Sequence, residues 1–442
     1  MSTSDRDLMI RLALTPPADV QAPPDLADSI YREVVRTPQR RGLIRFGRLG
    51  WLPAPSPLLV TLALLALLAL GLLIVALSRP TPPPVLAMYH GGPDRTGVMP
   101  GPGPAGAPVI EWDSARPGAL PFNSMPVPAE GRLFVGDDSG VLAALDESSG
   151  DVLWELDLGS PIRASPAIGG ALVFAGTDAG ELVAARAADG GVAWRQALQD
   201  GTLLASLLVV KDTLFAGSEG GTIFALELDT GVERWSMPVS GAVTRGPAFG
   251  DGVLYVGAAG GRFSAIDVES QAVGWATELG PGEVGTPTVG DGLVYAGRGL
   301  RAPDVAHDLV ALDIDDGSVV WSFESPAGQQ VHMGGLAGGL VFAASEDGNL
   351  YALDATTGAA AWTASIGERL TTPVAIVDDV VYLSAEPRAV LAVNAGSGRE
   401  LWRVPVVGNG SVPAVIGGRV FVGTDLGRVV AIGDRDAPTA AP

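Results

Sequence analysis

Few residue types in this chain can do chemistry. There are three histidines, His90, His307 and His332, and no cysteine in 442 residues. Lack of cysteine excludes disulfides, thiolate metal sites, a cysteine nucleophile and a lipid-bearing cysteine. The histidines are scattered without ligand spacing, so neither a zinc site nor a Ser-His-Asp arrangement can be built from them. Asp137 with Asp138, Asp315 with Asp316, and Asp347 could offer oxygens to calcium. None of them shows the alternating ligands of an EF-hand loop, and Asp before Gly is ordinary turn chemistry. The densest group of polar side chains is the insertion RGLRAPDVAHD, residues 298–308, which brings Arg301, Asp304, His307 and Asp308 into one loop. Loops on a rigid scaffold are where binding residues collect. A second group, Arg163, Arg245, Glu283, His332, Glu368 and Arg369, lies just before or within short apolar stretches and changes sign from one to the next. Arg301, Asp304, His307, Arg163, Arg245, His332 and Arg369 are therefore read as a candidate binding surface, with no catalytic, cofactor or metal site.

The elements that must position these residues repeat. From Gly131 onward, units such as GRLFVGDDSGVLAALDESSGDVLW recur, each ending in tryptophan: Trp154, Trp194, Trp235, Trp275, Trp321, Trp362 and Trp402. The spacing is 40 or 41 residues, with one gap of 46 at the copy carrying the insertion. A period near 40 built of short alternating apolar stretches predicts four-stranded propeller blades. Gly-rich turns such as Asp137 to Gly140 fall where hairpins need positive φ. Pro166, Pro247, Pro287, Pro373 and Pro413 recur at one place that must do without an N–H. The last unit, from Gly417 to Asp434, stops before a Trp strand, whereas VIEW, ending at Trp112, is a Trp strand without a unit. Joined, the two halves make an eighth blade and remove the sheet edges at both ends. The expectation is an all-β, eight-bladed propeller over 109–434 closed by N- and C-terminal strands; seven blades with an unpaired tail is the other count. Residues 435–442 read as a disordered tail.

The motif GNLYALDATTGAAAW, ending at Trp362, resembles the repeat of PQQ-like (pyrroloquinoline-quinone-type) propellers. Quinoprotein alcohol dehydrogenases share that repeat with BamB, the propeller lipoprotein of the outer-membrane β-barrel assembly machinery. YHGGPDRTGVMPGPGP, beginning at Tyr89, resembles the lead-in before the first blade in bacterial proteins of this kind. The resemblance implies that Trp154, Trp194, Trp235, Trp275, Trp321, Trp362 and Trp402, with Trp112 alike, dock between neighbouring blades. An enzyme of the quinoprotein branch would need a quinone at the channel mouth, a Ca²⁺ or similar cation and an aspartate base. This chain has neither that branch's adjacent cysteines nor its long insertions, and no Asp, Glu and Asn set can be placed. No cofactor is expected.

Ahead of the repeats, twenty uncharged residues, 58–77, run from Leu58 to Leu77. A helix of that length spans a hydrocarbon core of about 30 Å. Residues 1–56 carry eight Arg against six acids, and Arg36, Arg40, Arg41, Arg45 and Arg48 directly precede the run. The positive-inside rule then predicts a single-pass protein spanning at 57–78, with its N-terminus cytoplasmic and its propeller extracytoplasmic. Residues 79–108 are rich in Pro and Gly and read as a stiff spacer followed by the lead-in. The tail, 1–56, reads as largely disordered around a short amphipathic helix at 25–36, a contact for a cytoplasmic partner. From Arg79 onward the chain carries 43 acids against 20 bases, which repels nucleic acid. The function expected is a non-catalytic, membrane-tethered scaffold for a protein partner on the outer side. The alternatives are a sensor that signals through its tail and a PQQ-dependent dehydrogenase.

Overall fold

The computed structural model describes residues 86–115, 121–122, 124–299 and 308–434. The span expected at 58–77, the tail before it and residues 435–442 lie outside them. Among the described residues no helix is long and apolar enough to cross a membrane.

The repeat folds as four antiparallel strands per unit. In the first, Val127–Ala129 pairs with Arg132–Gly136, which pairs with Val141–Asp146, which pairs with Val152–Asp157. The two middle strands are buried almost throughout, because both faces pack on neighbouring blades, while the outer strand alternates between half-buried and exposed residues. Eight such sheets follow one another around the ring. In the last, Val109–Ala115 forms the outer strand against Arg428–Gly433, with Trp112 opposite Ala431. The two half-units thus complete one blade, and the count is eight. The inner strand is shorter than the alternation suggested: the second blade starts at Ala167, which leaves Pro166 in the connection before it, where no ladder N–H is missed.

A bulge precedes each of the eight tryptophans, as between Val152 and Trp154, and turns the ring toward the next blade. There the indole N–H donates to a carbonyl in that blade's outer turn. The bonds run from Trp112 to Glu147 (3.2 Å), Trp154 to Ala187 (3.0 Å), Trp194 to Leu228 (3.0 Å), Trp275 to Ile314 (2.9 Å), Trp321 to Ala355 (2.9 Å) and Trp362 to Ala395 (2.9 Å). Trp235 packs on Phe215 and Trp402 on Tyr382, each with ring centres 5.9 Å apart, and neither makes the indole bond. For Trp402 the reason is topological, since the last blade has chain ends in place of that turn. For Trp235 the reason is local. The turn glycine of the other blades, Gly231 for example, is replaced by Gln271 at φ 54°.

The lead-in occupies the centre of the ring. Leu86–Ala87 pairs with the inner strand of the second blade. Further on, backbone bonds join Pro93 to Phe249, Asp94 to Val289, Thr96 to Leu336, Gly97 and Met99 to Ile376, and Pro102 to Gly418, all at 2.8 to 2.9 Å. An inner strand would otherwise present a bare row of N–H groups to the channel. The bonds fall at the ends of the inner strands next to the first hairpin turn of each blade. The lead-in therefore closes the channel at the face bearing those turns and leaves the opposite face open.

Candidate functional site

On the open face stand the turns between the two middle strands and the connections between blades, which are the places that bring the sequence-selected charges together. Arg163, from the connection into the second blade, lies 3.0 Å from Asp178 and 3.6 Å from Asp138. Arg245 lies 3.6 Å from Glu283, Arg369 lies 2.6 Å from Glu346 and 3.5 Å from Glu386, and His332 lies 3.7 Å from Glu346. Glu368 is held by Arg403 at 2.8 Å. Arg163 and Arg369 bridge adjacent blades, Arg245 joins two connections and His332 meets Glu346 within the sixth blade, all on the open face, whereas Arg403 stands on an outer strand and puts its pair with Glu368 at the periphery.

The insertion of the fifth blade joins Leu293–Gly297 to Asp308–Asp313 on this same face, and its base is closed by Arg298 and Asp308 at 2.6 Å. Arg301, Asp304 and His307 lie outside the described residues. His90 is elsewhere: it is fully buried in the lead-in, with Nε2 2.7 Å from the Gly334 carbonyl and 3.0 Å from that of Val374. Burial lowers its pKa below the usual imidazole value, so it pins the lead-in as a neutral donor.

Sequence reasoning named Glu283, which answers Arg245, but missed the carboxylates that answer Arg163, His332 and Arg369. Asp138, Asp178, Glu219, Glu346, Glu386 and Asp425 occupy the same position in the turns between the middle strands. Recurrence of an acid at one place in the repeat was the signal. Asp138 had been read as turn chemistry, yet its neighbour Asp137 does that work, accepting from the Ser139 and Val141 N–H groups, while Asp138 faces Arg163.

Within the mouth, Tyr89, Arg245, Thr286, His332, Thr371 and Pro373 line a pocket of about 110 Å³. Tyr89 belongs to the lead-in, which thus supplies part of the pocket wall. Close by, Arg95 is fully buried and spends its donors on the backbone carbonyls of Pro247 (3.0 Å), Leu207 (2.8 Å), Ser206 (3.5 Å) and Tyr89. Among the described residues no carboxylate forms an ion pair with it, although Asp94 acts on it through space, and desolvation lowers its pKa to about 10.

The Glu346 carboxyl is held down at about 2 by His332 and then Arg369, against the desolvation that would raise it. A depressed carboxylate contributes stability that is fully present above its unfolded value near 4.5 and is lost as pH falls through about 2. Glu346→Gln is therefore expected to lower the urea midpoint at pH 7, and the gap to the wild type should close between pH 4.5 and pH 2. A gap that is constant with pH would assign Glu346 a packing role only.

The sequence model of the outer membrane protein assembly factor BamB matches residues 106–245, 240–335 and 305–437. No curated protein matches by sequence. Among solved structures, BamB from Moraxella catarrhalis is similar at 21% identity and a TM-score of 0.59, over 74% of this chain and 98% of that one. The computationally designed Ika8 protein gives 16% and 0.65, over 74% and 100%. Quinohemoprotein alcohol dehydrogenase ADHIIG from Pseudomonas putida HK5 gives 14% and 0.63, over 79% and 80%. At these identities the likeness establishes the shared fold, not a shared activity.

Proposed function

Because the chain belongs to the family of the outer membrane protein assembly factor BamB, we propose that it is a non-catalytic scaffold that binds a protein partner in the cell envelope through its open face. The observation that carries this reading is the closure of the channel by the lead-in, which leaves one mouth, rimmed by fixed ion pairs, as the surface for contact. Its recurring carboxylates favour a basic partner surface and disfavour nucleic acid. Residues 58–77 are the tether, with the tail cytoplasmic and available to a partner there, and the propeller extracytoplasmic.

Two features of the mouth support the non-catalytic reading over a quinone enzyme. Calcium takes six to eight oxygen ligands, whereas among the described residues no three His, Asp or Glu side chains stand together as a metal site. The carboxylates at the mouth are engaged with Arg163, Arg245 and Arg369. The pocket, at about 110 Å³, falls well below the roughly 300 Å³ at which pockets begin to take whole organic ligands.

Photo-crosslinking residues placed at Arg163 and Arg369 in the full-length protein should capture one protein in the membrane fraction. The same probe at Gly170 or Gly252, in turns of the closed face, should not. Equal capture from both faces, or recovery of the full-length chain as a soluble protein, would count against the scaffold or the tether respectively.

A further inference from the structure

The channel pocket has hydrogen-bond donors that no described residue uses. Arg245 approaches Glu283 through its Nε at 3.6 Å, and among the described residues no hydrogen bond engages its two terminal nitrogens. The Tyr89 and Thr286 hydroxyls, on the same pocket wall, are also without a partner among the described residues. A second, separate observation gives the pocket its sign. The Arg95 guanidinium lies 5.6 Å from the centre of the Tyr89 ring, fully buried, hydrogen-bonded to carbonyls and acted on through space by the Asp94 carboxylate without a direct ion pair to it. Arg245 and Arg95 both act electrostatically on the Tyr89 hydroxyl, which lines the pocket, so the field there is positive.

We propose that this pocket binds one small carboxylate, gripped by the terminal nitrogens of Arg245 and by the hydroxyls of Tyr89 and Thr286. The planar guanidinium fork matches a carboxylate with two parallel bonds. About 110 Å³ holds a group of that size and little more. Glu283, 3.6 Å from Arg245, puts one negative charge beside the pocket, so a monocarboxylate is favoured over phosphate or a dicarboxylate. Such a group can arrive as a free small acid or as the C-terminus of a peptide. The proposal is independent of the scaffold reading, since a pocket of this kind serves a sensor equally well.

The test is calorimetric titration of the full-length, detergent-solubilised protein with acetate, and with acetyl-Ala-Ala-Ala both as the free acid and as the C-terminal amide. Saturable binding of the acids and none of the amide is expected. Arg245→Gln should weaken binding at least ~10-fold and Tyr89→Phe by less, because bonds to a charged group exceed neutral ones. Arg186→Gln, an exposed change on the closed face, should leave binding unaltered. Tighter binding of acetate than of peptide would make the ligand a free acid; the reverse would make it a C-terminus. If no carboxylate binds into the tens of millimolar, a Kd of no consequence for a small group, or if Arg245→Gln binds as the wild type does while thermal unfolding shows it folded, the proposal fails.

Discussion

Arg95→Met is expected to destabilise the propeller by about 3–5 kcal/mol, the larger part of what many domains possess. The carbonyls of Pro247, Leu207, Ser206 and Tyr89 all accept from this one guanidinium, which ties two segments of the ring to the lead-in. A buried acceptor left without a donor costs about 1–3 kcal/mol. Relief from burying an unbalanced charge returns part of that, so the net lies below the full sum. Arg95→Lys should recover less than half of the loss, since an ammonium cannot span the same carbonyls. Urea unfolding measures both variants, and limited proteolysis should cut the lead-in of Arg95→Met first. A variant as stable as the wild type would mean that the lead-in merely lies in the channel.

Trp194→Ala should cost about 3–5 kcal/mol, as truncation of a buried aromatic does. The indole is 9% exposed, donates to Leu228 and packs on Phe174 at 5.8 Å. Gly231 lies under the ring at φ 70°, and a Cβ there would stand 2.6 Å from Trp194. Gly231→Ala is thus expected to lose the roughly 1 kcal/mol that a left-handed backbone costs any side chain, together with a larger loss from displacing the indole. Gly170→Ala separates the two, for its φ is 61° but nothing lies within 4 Å of the added carbon. In the Trp194→Ala background, Gly231→Ala should cost only what Gly170→Ala costs. Gln271→Gly should do the opposite and stabilise by about 1 kcal/mol, since it removes left-handed strain at the one turn that lacks the glycine. Equal costs for Gly231→Ala and Gly170→Ala would contradict docking through the ring.

The ring itself could be read from the chain because a blade is a local object. Each Trp lies about 40 residues from the next, and its bulge, turn and strand partners fall within one copy. Even the closing blade was visible, since Trp112 lacked a unit and the unit ending at Asp434 lacked a Trp. The path of the lead-in was not. Its partners, Phe249, Val289, Leu336, Ile376 and Gly418, lie in five different blades and are met through backbone atoms, which leave no pattern in side-chain types. Arg163, Arg245, His332 and Arg369 were legible from their place in the repeat, and so was Glu283 beside Arg245, but not the acids that answer the other three, because an acid in a Gly-rich turn has an ordinary explanation nearer at hand. Tyr89 and Thr286 became pocket residues only once the lead-in had a position.

The central claim is that this propeller uses the fold of its family for binding and not for redox chemistry. The most direct test is calorimetric titration of PQQ in the presence of Ca²⁺ into the full-length protein, followed by a dye-linked alcohol oxidation assay on the same sample. The account predicts no saturable binding and no dye reduction above the protein-free rate, whereas saturable binding with turnover would contradict it and make the channel mouth an active site.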